Sequence, residues 1–127
     1  MNKKAEALQR GETIISREPG NFMTPILKSR QPVRLASCYE IPPVFDGSKK
    51  EVCYKDKAGD ERFIKQDDIV FCKVRGHFYT HLVKAYNPKR GFLICNNHGH
   101  DNGWTWNIYG KCVEILPMDY KEEKCSQ

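Results

Sequence analysis

The sequence has no cysteine pair at metal-clip or redox spacing, no long apolar run and no block of like charge. Each absence closes off a class of protein. The six cysteines, Cys38, Cys53, Cys72, Cys95, Cys112 and Cys125, are scattered without a Cys-x-x-Cys pair. That argues against a paired-thiol zinc clip, a thioredoxin-like centre and a disulfide framework. They read as free thiols, mostly small core residues in strands. No apolar stretch approaches the ~20 residues that cross a bilayer. Met1–Arg10 is charged with no apolar segment behind it, unlike a secretory leader. A cytoplasmic protein with no membrane partner is therefore expected. Lys and Arg outnumber Asp and Glu by 21 to 16, a net charge of +5. A surplus that mild suits acidic partners, nucleic acid included, and equally suits a soluble domain with a Lys-rich surface.

What is present is a succession of short apolar runs cut by Gly, Pro and Asn. Asp68–Val74 reads as a strand, Arg75-Gly76-His77 as a tight turn and Phe78–Tyr86 as the return strand. Asn87–Gly91 is a turn, Phe92–Cys95 a third strand, Asn96–Asn107 a polar Gly-rich loop and Ile108–Ile115 a fourth strand. Upstream, Asn2–Gly11 holds good helix formers but an apolar face of only Ala5 and Leu8, so it needs something to dock on. Thr13–Ser16 is β-like. Ile41-Pro42-Pro43-Val44 is an edge or crossing loop, because prolines cannot donate to a ladder. Lys50–Lys55 and Glu61–Lys65 form a hairpin around Asp56–Asp60. The pattern predicts an all-β fold: a small distorted antiparallel barrel with at most a short N-terminal helix. The expected organisation is a helical extension over 1–16, a β domain over 17–116 and a frayed charged tail over 117–127.

Two segments carry a resemblance. Gly20-Asn21-Phe22-Met23-Thr24-Pro25 leads through a short turn into the apolar Val33-Arg34-Leu35. Gln66-Asp67-Asp68-Ile69-Val70 leads through Arg75-Gly76 to Tyr79-Thr80-His81-Leu82-Val83. In order and spacing these resemble the LexA-type peptidases, the clan of self-cleaving SOS and phage repressors and UmuD-like proteins. There the first segment reads Gly, polar, Ser, Met, any residue, Pro. The second is an acidic turn, a strand, a Gly hairpin and a return strand bearing a Lys. The resemblance spans roughly 17 to 115. It implies a LexA C-terminal-domain-like β fold, a phage or prophage origin, and homodimerisation through a barrel edge as an option. The family's turn Gly is replaced here by Arg30. Ala58-Gly59 matches the family's self-cleavage dipeptide but falls in a charged hairpin turn, after the nucleophile segment, where an ordinary turn is the simpler account.

The family's chemistry needs a Ser hydroxyl and a Lys held neutral by burial. At the Ser position stands Phe22, and at the Lys position stands His81. A phenyl ring has no proton to lose, so the resemblance implies a pseudo-peptidase, not an enzyme. Lys84 lies on the opposite face of the strand from His81 and is no substitute base. If Gly76-His77 are the central turn residues, Cys72 faces His81. That pair is the minimum for a thiolate nucleophile, though an interior Cys beside a half-buried His is the plainer account.

Two further candidate sites stand out. The loop around Cys95, His98 and His100 offers zinc-type donors, without a second ligand pair elsewhere. Trp104 and Trp106 in the same loop either cover an open end of the barrel or bind a base or a protein partner. Along the hairpin, Lys73, Arg75, His77, Tyr79 and His81 share odd numbering, with Lys84, Lys89 and Arg90 beyond. That suggests one basic-aromatic face, either simply solvated or in contact with phosphate. The reading that follows is a catalytically inactive binding domain, a phage or prophage accessory protein with a host or phage protein as partner and no cofactor. The alternative is a nucleic-acid-binding barrel that uses the basic hairpin and the Trp loop. Only about 20 residues precede the β domain, too few for a helix-turn-helix. A complete repressor is therefore not expected.

Overall fold

In the computed structural model, residues 2–38, 44–45, 51–55, 61–87 and 89–121 are described. The chain begins with α1 (Lys3–Gln9), capped by Asn2, whose Oδ1 accepts from Lys4 N at 2.9 Å and Ala5 N at 3.1 Å. So short a helix is unstable alone. It is held because Ala5, Ala7 and Leu8 are buried and Ser37 Oγ donates to Leu8 O near its C-terminal end. Gly110 makes the approach possible: a Cβ there would meet both Leu8 methyls and Ala36 O at 3.0 Å.

Ten strands follow among the described residues: β1 (Ile14–Ser16), β2 (Val33–Ser37), β3 (Val44–Phe45), β4 (Glu51–Lys55), β5 (Glu61–Lys65), β6 (Ile69–Val74), β7 (His77–Asn87), β8 (Gly91–Cys95), β9 (Asp101–Thr105) and β10 (Ile108–Ile115). They form a seven-stranded sheet in the order β1-β2-β10-β6-β7-β8-β9 and a three-stranded sheet β3-β4-β5, with antiparallel pairing throughout. The all-β expectation holds. The expected barrel does not, because the larger sheet is open, with β1 and β9 at its edges. Strand β9 curls back toward β6, where Thr105 Oγ1 donates to Lys73 O at 2.7 Å and Lys73 N to Asn107 O at 3.0 Å. No ladder can form there, since both edges of β6 are already taken by β10 and β7.

Alternation along β6 sends Val70, Cys72 and Val74 into one apolar layer with Val83, Phe92 and Ile94. Ile69 and Phe71 enter the other, with Leu8, Met23, Leu27, Leu35 and Tyr109. Burial on both faces is why Ile69–Cys72 reads as an unbroken apolar run before the half-buried Lys73.

Three local expectations change. The hairpin turn is Arg75-Gly76, with φ of 50° and 84°, so Val74 pairs with His77 and Cys72 with Tyr79. Two central residues in the left-handed region make the twist-matched hairpin turn. The polar stretch 96–107 is not all loop, since it contains β9. The tail is anchored as far as Tyr120: Arg17 Nη2 donates to Tyr120 O at 2.7 Å, and Leu116 N to Pro32 O at 2.9 Å. The Asp56–Asp60 turn with its Ala58-Gly59 dipeptide, the Pro42-Pro43 loop and residues 122–127 lie outside the described residues.

Candidate functional site

Between β1 and β2 the chain makes a long strap, residues 17–32, across the sheet. Met23 and Leu27 anchor it in the core, while Phe22 stays 60% exposed above. The strap is tied to the turn after β8. Asn97 N donates to Phe22 O and Asn97 Nδ2 to Thr24 O, both at 2.8 Å. His98 Nε2 lies 2.8 Å from Asn21 O; a carbonyl only accepts, so Nε2 carries the proton. The turn itself is stiffened by Asn96 Oδ1, which accepts from His98 N at 2.8 Å and His100 N at 3.1 Å. Arg30 closes the strap at φ 61°, a conformation that costs a side-chain-bearing residue about 1–2 kcal/mol. Bonds from Arg30 N to Glu18 O at 2.7 Å and from Arg17 Nη1 to Arg30 O at 3.1 Å offset that cost.

The strap sets Phe22 against His81, with ring centroids 6.1 Å apart. On its other side His81 stacks on Tyr79, at 4.6 Å between centroids and 25° between planes. His81 is only 5% exposed, and its Nδ1 is 2.9 Å from Asn102 Oδ1. With Nδ1 donating to that amide oxygen, Nε2 is left with the lone pair. Burial holds the His81 pKa below the usual imidazole value, and His100 adds to this, while the bond to Asn102 and the charge of Glu18 pull the other way. Beside it the buried Thr80 hydroxyl donates to Glu18 Oε1 at 2.6 Å, and Glu18 also faces Lys4 Nζ at 3.8 Å. Beneath Phe22 lies a cleft of about 50 Å³ bordered by Ser16, Glu18, Gln31, Thr80 and His81. That is room for a few waters, not for a peptide side chain. Among the described residues the buried Ser16 Oγ has no hydrogen-bond partner.

Several constellations weighed as alternatives do not form among the described residues. Cys72 pairs with Tyr79, two positions from His81, and its Sγ donates to Tyr79 O at 3.6 Å. Burial drives its pKa far above the ordinary thiol value, so it carries no thiolate. Lys84 sits in a bulge of β7 between Val83 and Ala85, exposed, with Nζ 3.0 Å from Asp101 Oδ1. Cys95 is buried in β8 and its pKa is raised by that burial, whereas His98 is committed to the strap. Among the described residues no group of three His, Cys, Asp or Glu side chains could hold a metal ion.

The binding set read from the sequence is divided. Facing residues on β6 and β7 have opposite parity because the turn has two residues, so Lys73 pairs with Phe78 and lies on the face opposite Tyr79. His77 and Tyr79 continue the aromatic row from His81, at 6.3 Å between the first two rings. His98 and His100 lie at the strap end. Trp104, Trp106 and Arg75 gather around a separate basin with Lys73 and Arg90. There Trp106 stands edge-on to Tyr86 and Phe92, at 80° and 76°. Glu18, Thr80, Asn97 and Asn102 were not singled out from the sequence. Only their tertiary placement reveals them.

Comparison with known proteins adds little to this geometry. No family model matches the chain, and no solved structure matches it. One curated protein, fumarate reductase 1 of Saccharomyces cerevisiae, is 29% identical over 75 residues, which is 58% of this chain. The chain covers 16% of that protein's length. Among the described residues no helix is long and apolar enough to cross a membrane.

Proposed function

We propose that this chain is a binding domain built on the scaffold of a LexA-type self-processing peptidase, with both working side chains lost. The observation that carries the reading is the contact of Phe22 with His81 at 6.1 Å. These are the two positions at which the resemblance puts nucleophile and base, and they come from distant parts of the chain. The backbone at Arg30, held where the family turns on Gly, points the same way.

The chemistry at this pair supports loss of catalysis. The His81 imidazole is buried with its lone pair at Nε2, but the side chain facing it is a hydrocarbon ring. The nearby Thr80 hydroxyl is committed to Glu18. What remains is a surface. Phe22 and Ile26 form an exposed apolar lip on a strap tied down by Asn97 and His98. Large apolar side chains left exposed on a tied-down segment can serve as anchors that a partner protein buries. A host or phage protein is the partner this lip suits, and a phage or prophage accessory role follows from the resemblance.

Restoring the dyad tests this. A Phe22→Ser, His81→Lys double variant would put a hydroxyl beside a buried, pKa-lowered amine. It is expected to react with a fluorophosphonate probe, while the wild type and both single variants stay unlabelled. A double variant that melts like the wild type and remains unlabelled would count against the peptidase scaffold.

A further inference from the structure

We propose that a second site, adjoining the His81 site along β9 where Gly103 and Trp104 follow Asn102, takes single-stranded nucleic acid. Between the β6–β7 turn, the β7–β8 turn and the link from β9 to β10 lies an open basin of about 510 Å³, lined by Lys73, Arg75, Arg90, Trp104, Trp106 and Tyr109. Its volume suits one or two nucleotides.

The cations are held in place by aromatic and backbone features. Arg75 occupies the left-handed turn position, and its guanidinium lies across Gly103, where a Cβ would approach Nε to 3.1 Å. Arg90 Cζ sits 4.7 Å over the Trp104 ring, and Lys73 Nζ 5.3 Å over Phe78. Among the described residues none of these three has a carboxylate within ion-pair distance. Elsewhere Lys4, Arg34, Lys84 and Lys111 are each matched, to Glu18, Glu114, Asp101 and Asp68. Exposed Lys3, Lys28, Arg30 and Lys89 also lack an ion pair among the described residues, so what sets the basin apart is that three such cations gather on one surface with two indoles. Beside that charge Trp106 is 46% exposed, with its packing on Tyr86 and Phe92 fixing the ring.

Phosphates need unmatched cations, and unpaired bases need π faces; the basin offers both within one nucleotide's reach. An acidic peptide would use the cations and leave the indole in water. A duplex would present phosphates but keep its base faces stacked inside. The combination selects a single strand. This inference does not depend on the peptidase-scaffold reading, and either can fail alone.

The test is fluorescence anisotropy of a labelled short oligothymidylate titrated with the full chain. Three phosphate contacts predict a log–log salt slope of about −2, or about 20-fold weaker binding at 200 mM than at 50 mM salt. The Arg75→Gln, Arg90→Gln pair lies on exposed turns, and its loss should reduce the slope by about 1.4. Trp106→Ala should weaken binding about 5- to 150-fold. Because Trp106 also packs on Tyr86 and Phe92, the arginine pair is the arm that does not depend on the core. No binding at 50 mM salt, or an unchanged slope in the arginine pair, overturns the proposal. So does equal binding of a duplex, of poly-glutamate or of anionic lipid vesicles.

Discussion

The strap that carries Phe22 should be measurably loosened by removing two side chains that never touch it as packing. Asn97→Ala deletes the bond from Asn97 Nδ2 to Thr24 O, and His98→Ala the bond from Nε2 to Asn21 O, both 2.8 Å. The first is partly buried and should be worth about 1 kcal/mol; the second is exposed and should be worth about 0.5–1 kcal/mol. The backbone bond from residue 97 to Phe22 O survives in both variants. Together the losses come to about 1.5–2 kcal/mol. For a chain of this size that is a fall in Tm of about 6–8 °C. Hydrogen exchange adds a local readout: the amide of Leu27, bonded to Met23 O at 2.9 Å, should exchange faster, while β6 amides speed up only by the loss of global stability. The combined loss of about 1.5–2 kcal/mol is the additive sum; because both bonds hold one strap, a double-mutant cycle should depart from it by about 0.5 kcal/mol or more. A double variant with unchanged Tm and unchanged strap exchange would refute the claim that this turn holds Phe22 in place.

Two further outcomes follow from the titrating groups. His81 has a folded-state pKa below that of a free imidazole, so the unfolded chain takes up the proton first. Its contribution to stability is complete above about pH 6.5 and is lost as pH falls through the folded-state value. Urea unfolding from about pH 7.5 to about pH 5.5 should therefore show a decline that is blunted in His81→Phe; equal slopes in the two proteins would remove the buried neutral imidazole. Cys72, buried with its pKa raised by that burial, should resist a thiol alkylating probe in the native protein and react only on unfolding. Preferential labelling of Cys72 in native protein would reopen the thiolate nucleophile.

The strands that bury both faces or alternate cleanly were legible as sequence. β6 and β8 are largely apolar runs between turn residues, β10 is a β-rich stretch after the polar loop, and α1 carries its cap in Asn2. β9 was not, since Asp101-Asn102-Gly103 is turn chemistry. It is a strand because Gly103 admits the Arg75 side chain and Thr105 reaches Lys73 O. The hairpin register slipped by two because Arg75 is an unusual residue for a left-handed turn position, where Asn or Asp is common. That slip is what placed Cys72 opposite His81. The position of β10 between β2 and β6 is a long-range pairing with no local signal. At the site, Phe22 and His81 were found through the resemblance. Glu18, Thr80 and Asn102 are ordinary polar residues until folding sets them around the imidazole. The basic-aromatic stripe failed for a topological reason: a two-residue turn inverts parity between its strands, which separates Lys73 from Tyr79.

The account rests on a benzyl group lying against an imidazole, and proton cross-relaxation between those two rings measures that contact most directly. With centroids 6.1 Å apart, the Phe22 ring protons should show NOEs to the His81 ring protons, and these should weaken in Asn97→Ala, His98→Ala. A well-folded protein with no such NOEs, and with Phe22 ring shifts at their free-peptide values, would contradict it.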